Sequence, residues 1–149
     1  MTVRPCTGKC MSRLTKFRYS IPQGMTVYED DVEVVGVGNP CRHARKFLKR
    51  SKRRIYLQRE PGNTHEADAI KVMGRSKGWF REVRKCIGYV PSDIARRLVA
   101  SGVDSRVMAK LHLVSIRDRD SIQIRINLLG PLSDYEKYAV KRDWQAPHA

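Results

Sequence analysis

The sequence predicts a mainly β fold with inserted helices, its six strands closed into a barrel or a strongly curved sheet. Three observations carry this. Short β-branched and apolar runs recur along the 149 residues, most clearly with period-two alternation at 107–113 and 122–128. Helical patterns interrupt them at 41–50 and 93–100, and a third lies near the end of the chain. Closure of six strands removes the edges that an open sheet would expose.

The elements follow in order. Residues 32–38 (VEVVGVG) are β-branched and end on Gly, hence a first strand. Asn39-Pro40 starts a helix: Asn caps the free amides, and Pro at the first helical position loses no intrahelical bond. The helix 41–50 places Cys41, Ala44, Phe47 and Leu48 on one face and cations on the rest. Residues 54–59 form the second strand, with Ile55 and Leu57 facing one way and Tyr56 and Gln58 the other. Residues 69–73 are the third strand. The basic segment 74–84 (GRSKGWFREVR) reads as a long hairpin loop, and 85–90 returns as the fourth strand. Ser92 is placed to cap the helix 93–100, which Gly102 ends. Val107, Ala109, Leu111 and Leu113 alternate with Met108, Lys110 and His112. After a turn at 117–120, Ile122, Ile124, Ile126 and Leu128 alternate with Gln123, Arg125 and Asn127. The pair is expected as an antiparallel hairpin. Ser133 and Glu136 have capping-box spacing, which predicts a short helix over 134–142. The organisation is then a basic arm over 1–28, a β-barrel domain over 29–132 and a terminal helix and tail over 133–149. An OB-like six-stranded barrel is a natural host for single-stranded nucleic acid.

Thirty Lys and Arg against fifteen Asp and Glu give a formal charge of +15. Such a surface attracts polyanions, nucleic acid first. A membrane partner lacks support: no long amphipathic helix carries Trp or Phe on one face, and no apolar run reaches spanning length. The N-terminus has no signal-peptide core, so a soluble, cytoplasmic protein associated with nucleic acid is expected. Four scattered cysteines are expected as reduced thiols. The sharper alternative is zinc on Cys6, Cys10, Cys41 and His43, but no second pair of matching spacing exists. No metal or other cofactor is assigned.

Residues 42–59 hold nine cations and no acid, among them Arg42, Arg45, Lys49 and Arg59. Spanning a helix end, a turn and a strand, they are expected to form a patch that contacts phosphates without sequence preference. Tyr56, Trp79, Phe80 and Tyr89 lie near basic segments, and any can stack a base. For Trp79 and Phe80 the competing expectation is cover for the core beneath their own loop. In the loop Asn63-Thr64-His65-Glu66-Ala67-Asp68, Asn63 and Asp68 have the turn-forming types that bond local backbone. Glu66 differs: a carboxylate repels phosphate yet accepts a hydrogen bond from a hydroxyl, so it can select a free hydroxyl terminus. Catalysis finds little support. Glu60, Glu66 and Asp68 lack a further acid at two-metal spacing, and no nucleotide-binding Gly loop, HExxH or Gly-x-Ser-x-Gly occurs.

Three pieces, VVGVG, LQREPGNTHEADAIKV and IGYVPSDIARRL, stand in the order and spacing of a HIRAN domain, and the chain resembles that family across 32–129. Members occur fused to Swi/Snf-type translocases that remodel stalled replication forks, and as stand-alone proteins of bacteria and phages, the type this chain resembles. The resemblance implies an OB-like barrel, binding of single-stranded DNA or DNA ends, a role in repair or fork processing, and a larger DNA-processing protein as partner. It places Asn63 and Glu66 where the family's loop meets the terminal nucleotide and its usual acid is Asp, one methylene shorter; His65 is a further candidate in the same loop. Asp68 falls where Asn or Asp is common, and Tyr89 lies close to DNA. Gly38, Asn39 and Pro40 stand where the eukaryotic end-binders carry the Arg and aromatic residues that clasp the last base. The alternative from another class is an adaptor that binds RNA or an acidic protein partner.

Overall fold

The computed structural model describes residues 13–37, 43–117 and 121–145. The expected hairpin is its centre. Strands β6 (Met108–Ile116) and β7 (Ile122–Pro131) pair antiparallel from Met108↔Leu129 to Ile116↔Ile122. A bulge between Leu111 and Leu113 changes the phase, so Val114 rather than Leu113 turns into the core. β1 (Arg13–Lys16) pairs with β6 and β2 (Met25–Glu33) pairs with β7, giving the order β1-β6-β7-β2. A second antiparallel sheet has the order β3-β4-β5, with β3 Ser51–Arg59, β4 Ile70–Lys77 and β5 Glu82–Tyr89. The helices are α1 (His43–Lys49), α2 (Ser92–Ala100) and α3 (Tyr135–Gln145).

The described architecture is therefore seven strands in two sheets, not a closed six-stranded barrel. Among the described residues, backbone hydrogen bonds join the two sheets on one side only. The Val34 amide donates to Ile124 of the first sheet (2.8 Å), and the next residue, Val35, exchanges two backbone bonds with Tyr89 of the second (2.9 and 2.8 Å). Gly88 is needed at this junction. A Cβ there would stand 2.8 Å from the Val35 carbonyl oxygen and against the Val34 side chain. On the opposite side β3 faces β6 with no ladder between them, and the wall stays open.

The arm expected over 1–28 is built into the fold from Arg13 onward, because β1 and the start of β2 fall within it. Its thin apolar pattern hid these strands: every residue of β1 is exposed, and only Tyr28 is buried in the first half of β2. The terminal helix is likewise integral to the core. Tyr138 of α3 is fully buried and stacks on Tyr28 (5.2 Å, 22°), and Tyr135 meets the same ring edge-on (5.6 Å, 70°). Tyr28 also lies over Gly130, where a Cβ would stand 2.5 Å from the ring. The Tyr138 hydroxyl donates to Glu29, which also pairs with Arg97 of α2 (3.5 Å). Burial pushes this hydroxyl well above the usual tyrosine range, so it stays a donor.

The expected long loop over 74–84 is mostly ladder. β4 and β5 pair as far as Lys77↔Glu82, leaving a short turn. The inward positions here are Gly74 and Ser76 rather than large apolar residues, so the alternation is invisible in the sequence. Gly74 is small because Phe47 of α1 packs on it, 2.7 Å from where a Cβ would be. Trp79 and Phe80 cover no core; each is 90% exposed. Neither expected serine cap forms. Ser92 is the first residue of α2, behind Pro91, and Ser133 lies in a 3-10 turn (Leu132–Asp134) with no side-chain cap bond. Gly102, at φ +75°, does follow the end of α2 as expected.

Gly88→Ala should lower unfolding free energy in urea by about 1–3 kcal/mol, the usual range for overpacking, since a carbonyl oxygen opposes the added methyl. Gly62→Ala, with open space around it, should stay within about 0.5 kcal/mol of the parent.

Candidate nucleic-acid interface

The open side of the fold is a cleft of about 520 Å³ between β3 and β6. Arg53, Arg54, Ile55 and Tyr56 line one wall with Arg75 of β4, residues 108–111 line the other, and Phe17 to Ser20 cross one side. Five cations, Arg18, Arg53, Arg54, Arg75 and Lys110, reach it, and no acidic side chain lines it. The strand register explains the clustering. Arg54 is directly opposite Arg75 across the β3–β4 ladder, and Lys110 stands in the outward phase between buried Ala109 and Leu111. Arg53 is held in place: it donates to the Leu48 carbonyl (2.6 Å), and its guanidinium lies 5.4 Å from the Phe17 ring centroid. Arg75 shares Glu82 (3.4 Å). Among the described residues no carboxylate pairs with Arg54 or Lys110. Tyr19, fixed by a bond from Asn127 (2.6 Å), and Tyr56 bring aromatic rings to the same space.

The polar loop after β3 is a second centre. Asn63 organises it as its residue type predicts, accepting from the amides of His65 (2.8 Å) and Glu66 (2.9 Å). Its side-chain amide donates to Glu60 (2.6 Å), which also accepts from the Tyr89 hydroxyl (3.1 Å) and pairs with Lys71 (3.6 Å). The bond from Asn63, aided by those from Tyr89 and Lys71 and opposed by burial, holds the Glu60 carboxyl below its ordinary value of 4.5. Glu66 pairs with Arg96 of α2 (3.1 Å), and His65 is exposed. Arg59 is engaged with Asp104 (3.2 Å) and Asp68 (3.9 Å), so it ties the end of β3 to the turn before β6. Asp68 is thus an ion-pair partner of Arg59.

The described members of the run 42–59 are carried by α1, the residue after it and β3. Arg45 and Lys49 sit on α1, which packs over β4 and β5 beside a hollow of about 140 Å³ lined by His43, Lys46, Arg50 and Lys85. Tyr56 is in the cleft, while Asn63, His65, Glu66 and Tyr89 gather at the loop. Gly38, Asn39 and Arg42 lie outside the described residues, as do Cys6, Cys10 and Cys41, so the zinc alternative is left with His43 at the start of α1. Among the described residues no group of three or more His, Cys, Asp or Glu is placed to hold a metal, and no helix is long and apolar enough to cross a membrane. Sequence reasoning missed Arg18, Tyr19, Arg75, Lys110 and Arg96. Only strand pairing and helix docking bring these scattered residues to the two centres.

The HIRAN domain model matches residues 27–133, from β2 through β7. No curated protein matches the chain. Among solved structures, the crystal structure of the HIRAN domain of human HLTF is similar at 15% identity and TM-score 0.47, over 79% of this chain and 89% of that one. With a family match that covers well over half of its length, the chain belongs to the HIRAN domain family, a family of DNA-binding modules.

Proposed function

We propose that the protein engages single-stranded DNA in the cleft between β3 and β6 and acts in DNA repair or replication-fork processing beside a larger DNA-processing protein. The observation that carries this is the cleft itself, with five cations, two tyrosines and no acid around about 520 Å³. Cations held along a groove neutralise successive phosphates, and aromatic faces accept bases of any sequence. Binding rather than catalysis is supported by the state of the acids. Glu60, Glu66 and Asp68 are each paired with a cation, at 3.6, 3.1 and 3.9 Å. An end preference is a refinement of the same reading: the Asn63-ordered loop presents Glu66 to accept a bond from a terminal 3′-hydroxyl.

Fluorescence anisotropy against salt tests the cleft. With about three to five phosphates contacted, the log–log slope for single-stranded DNA should be roughly −2 to −3.5, from about −0.7 per phosphate. Replacing Arg54 and Lys110 together by Ala should weaken all sequences alike and reduce the slope's magnitude by about 1.4. Tyr56→Ala should cost about 1–3 kcal/mol with the slope unchanged. A flat salt response would overturn the proposal, and tighter binding of matched RNA would favour the adaptor reading.

The refinement has its own test. A strand ending in 3′-hydroxyl should bind more tightly than its 3′-phosphate twin, because the phosphate sets like charge against Glu66. Glu66→Gln should shrink that difference, since the amide still accepts a hydrogen bond but no longer repels. Equal binding of the two strands, or tighter binding of the phosphate, would leave a general single-strand binder.

A further inference from the structure

Trp79 and Phe80 form the tip of the β4–β5 hairpin. Each is 90% exposed, and their rings stack with centroids 5.4 Å apart and planes 12° apart. The mount is firm. The ladder runs to Lys77↔Glu82, and the Gly78 amide closes the turn onto the Arg81 carbonyl (2.9 Å). Two large aromatic side chains held together in water forgo the burial that normally offsets their apolar area, and a joined exposed patch of this kind marks a contact surface.

The charge around the tip names the partner. At its root is a hollow of about 290 Å³ lined by Lys52, Arg54, Arg75, Lys77 and Arg81 with a single acid, Glu82. Glu82 is shared by Arg75 (3.4 Å) and Arg84 (2.8 Å). Among the described residues Lys52, Lys77 and Arg81 have no carboxylate partner. Arg54 and Arg75 line both this hollow and the cleft, so one cationic path runs from the cleft to the aromatic tip. A chain that alternates anionic groups with flat rings fits this path, and a nucleic-acid strand is such a chain.

We propose that Trp79 and Phe80 are a second stacking platform, taking an unpaired base of the same strand that occupies the cleft, with its intervening phosphates along Lys52, Lys77 and Arg81. This rests on the cleft reading and extends the footprint beyond it. A strand long enough to cover both places should gain affinity that a short strand lacks.

The test uses the full chain carrying Trp144→Phe, so that Trp79 is the remaining tryptophan of the two. Oligothymidylates of about 4 and about 12 nucleotides sample the range of sizes that one OB-type fold covers. Both should bind, but only the longer should quench Trp79, and it should bind more tightly. Trp79→Ala with Phe80→Ala, measured in the parent chain, should weaken the longer strand roughly 5- to 100-fold. It should leave the short strand, the salt slope and the thermal midpoint unchanged, because neither ring carries charge or packs in the core. A double variant that binds both lengths as the parent does overturns the platform and leaves the cleft standing. So does a Trp79 emission that ignores the long strand but shifts with vesicles of phosphatidylserine, which would assign the tip to a membrane surface. A short strand indifferent to Tyr56→Ala overturns the cleft reading, and the platform with it.

Discussion

Val34 and Val35 are consecutive, yet one bonds to β7 and the other to β5. Amides next to each other in an extended segment point to opposite sides, so two neighbouring residues can serve two sheets. That one step couples the sheets, and it is possible because Gly88 lets the backbones approach closely. With the sheets fastened along this side, β3 and β6 face each other on the other side without pairing. The cleft is the consequence of two sheets joined by backbone hydrogen bonds on one side. Arg59 and Asp104 clip β3 to the turn before β6 at the end nearer the polar loop, which leaves the opening toward the start of β3, where Arg53, Arg54 and Arg75 stand.

The rest of the packing keeps this frame rigid. The C-terminal half of β7 is buried on both faces, residues 126–130 all being buried. Tyr28, stacked on Tyr138, covers Gly130 on the face shared with Ile126 and Leu128, and on the alternate face Asn127 accepts from the Asp31 amide and donates to the Tyr19 hydroxyl. Glu29 is the polar tie in this layer, accepting from Tyr138 and pairing with Arg97. A half-buried carboxylate between two donors is satisfied, where an unpartnered one would be strongly destabilising.

The excess of fifteen positive charges is not spread evenly in effect. Around the polar loop the acids are taken up locally, Glu60 by Asn63, Tyr89 and Lys71, Glu66 by Arg96, and Asp68 by Arg59. Those bonds hold the geometry of the loop. Along the cleft and the hairpin root the balance is different: only Glu82 opposes five lining cations at the root, and among the described residues Arg75 is the one cleft cation with a carboxylate partner, that same Glu82. The field that a phosphate chain would meet is therefore concentrated on the open side of the molecule.

How much was legible in the sequence follows from these details. Period-two alternation over 107–111 and 122–128 specified the central hairpin, because apolar side chains on one face of a strand must all turn to the same core, whereas the bulge that takes Leu113 out of phase left no mark in the pattern. The Asn63 turn was legible too, since its hydrogen bonds reach only two and three residues along the chain. So were the family and the basic character of the surface. What lay beyond the sequence depends on partners distant in the chain. β1 and the start of β2 show little apolar pattern because β1 is an exposed edge and Tyr28 finds its cover more than a hundred residues later, in α3. The ends of β4 and β5 were hidden because Phe47 requires glycine, not a large side chain, at position 74. The site divides in the same way. Residue types alone marked Tyr56, Glu66 and Tyr89 as candidates, but long-range pairing put Arg75 beside Arg54, brought Lys110 across from them and set the Trp79–Phe80 tip at the end of their path. Composition determined that this protein carries a large positive charge; only the tertiary structure decided where that charge gathers, because a groove exists only once two strands far apart in sequence face each other unpaired.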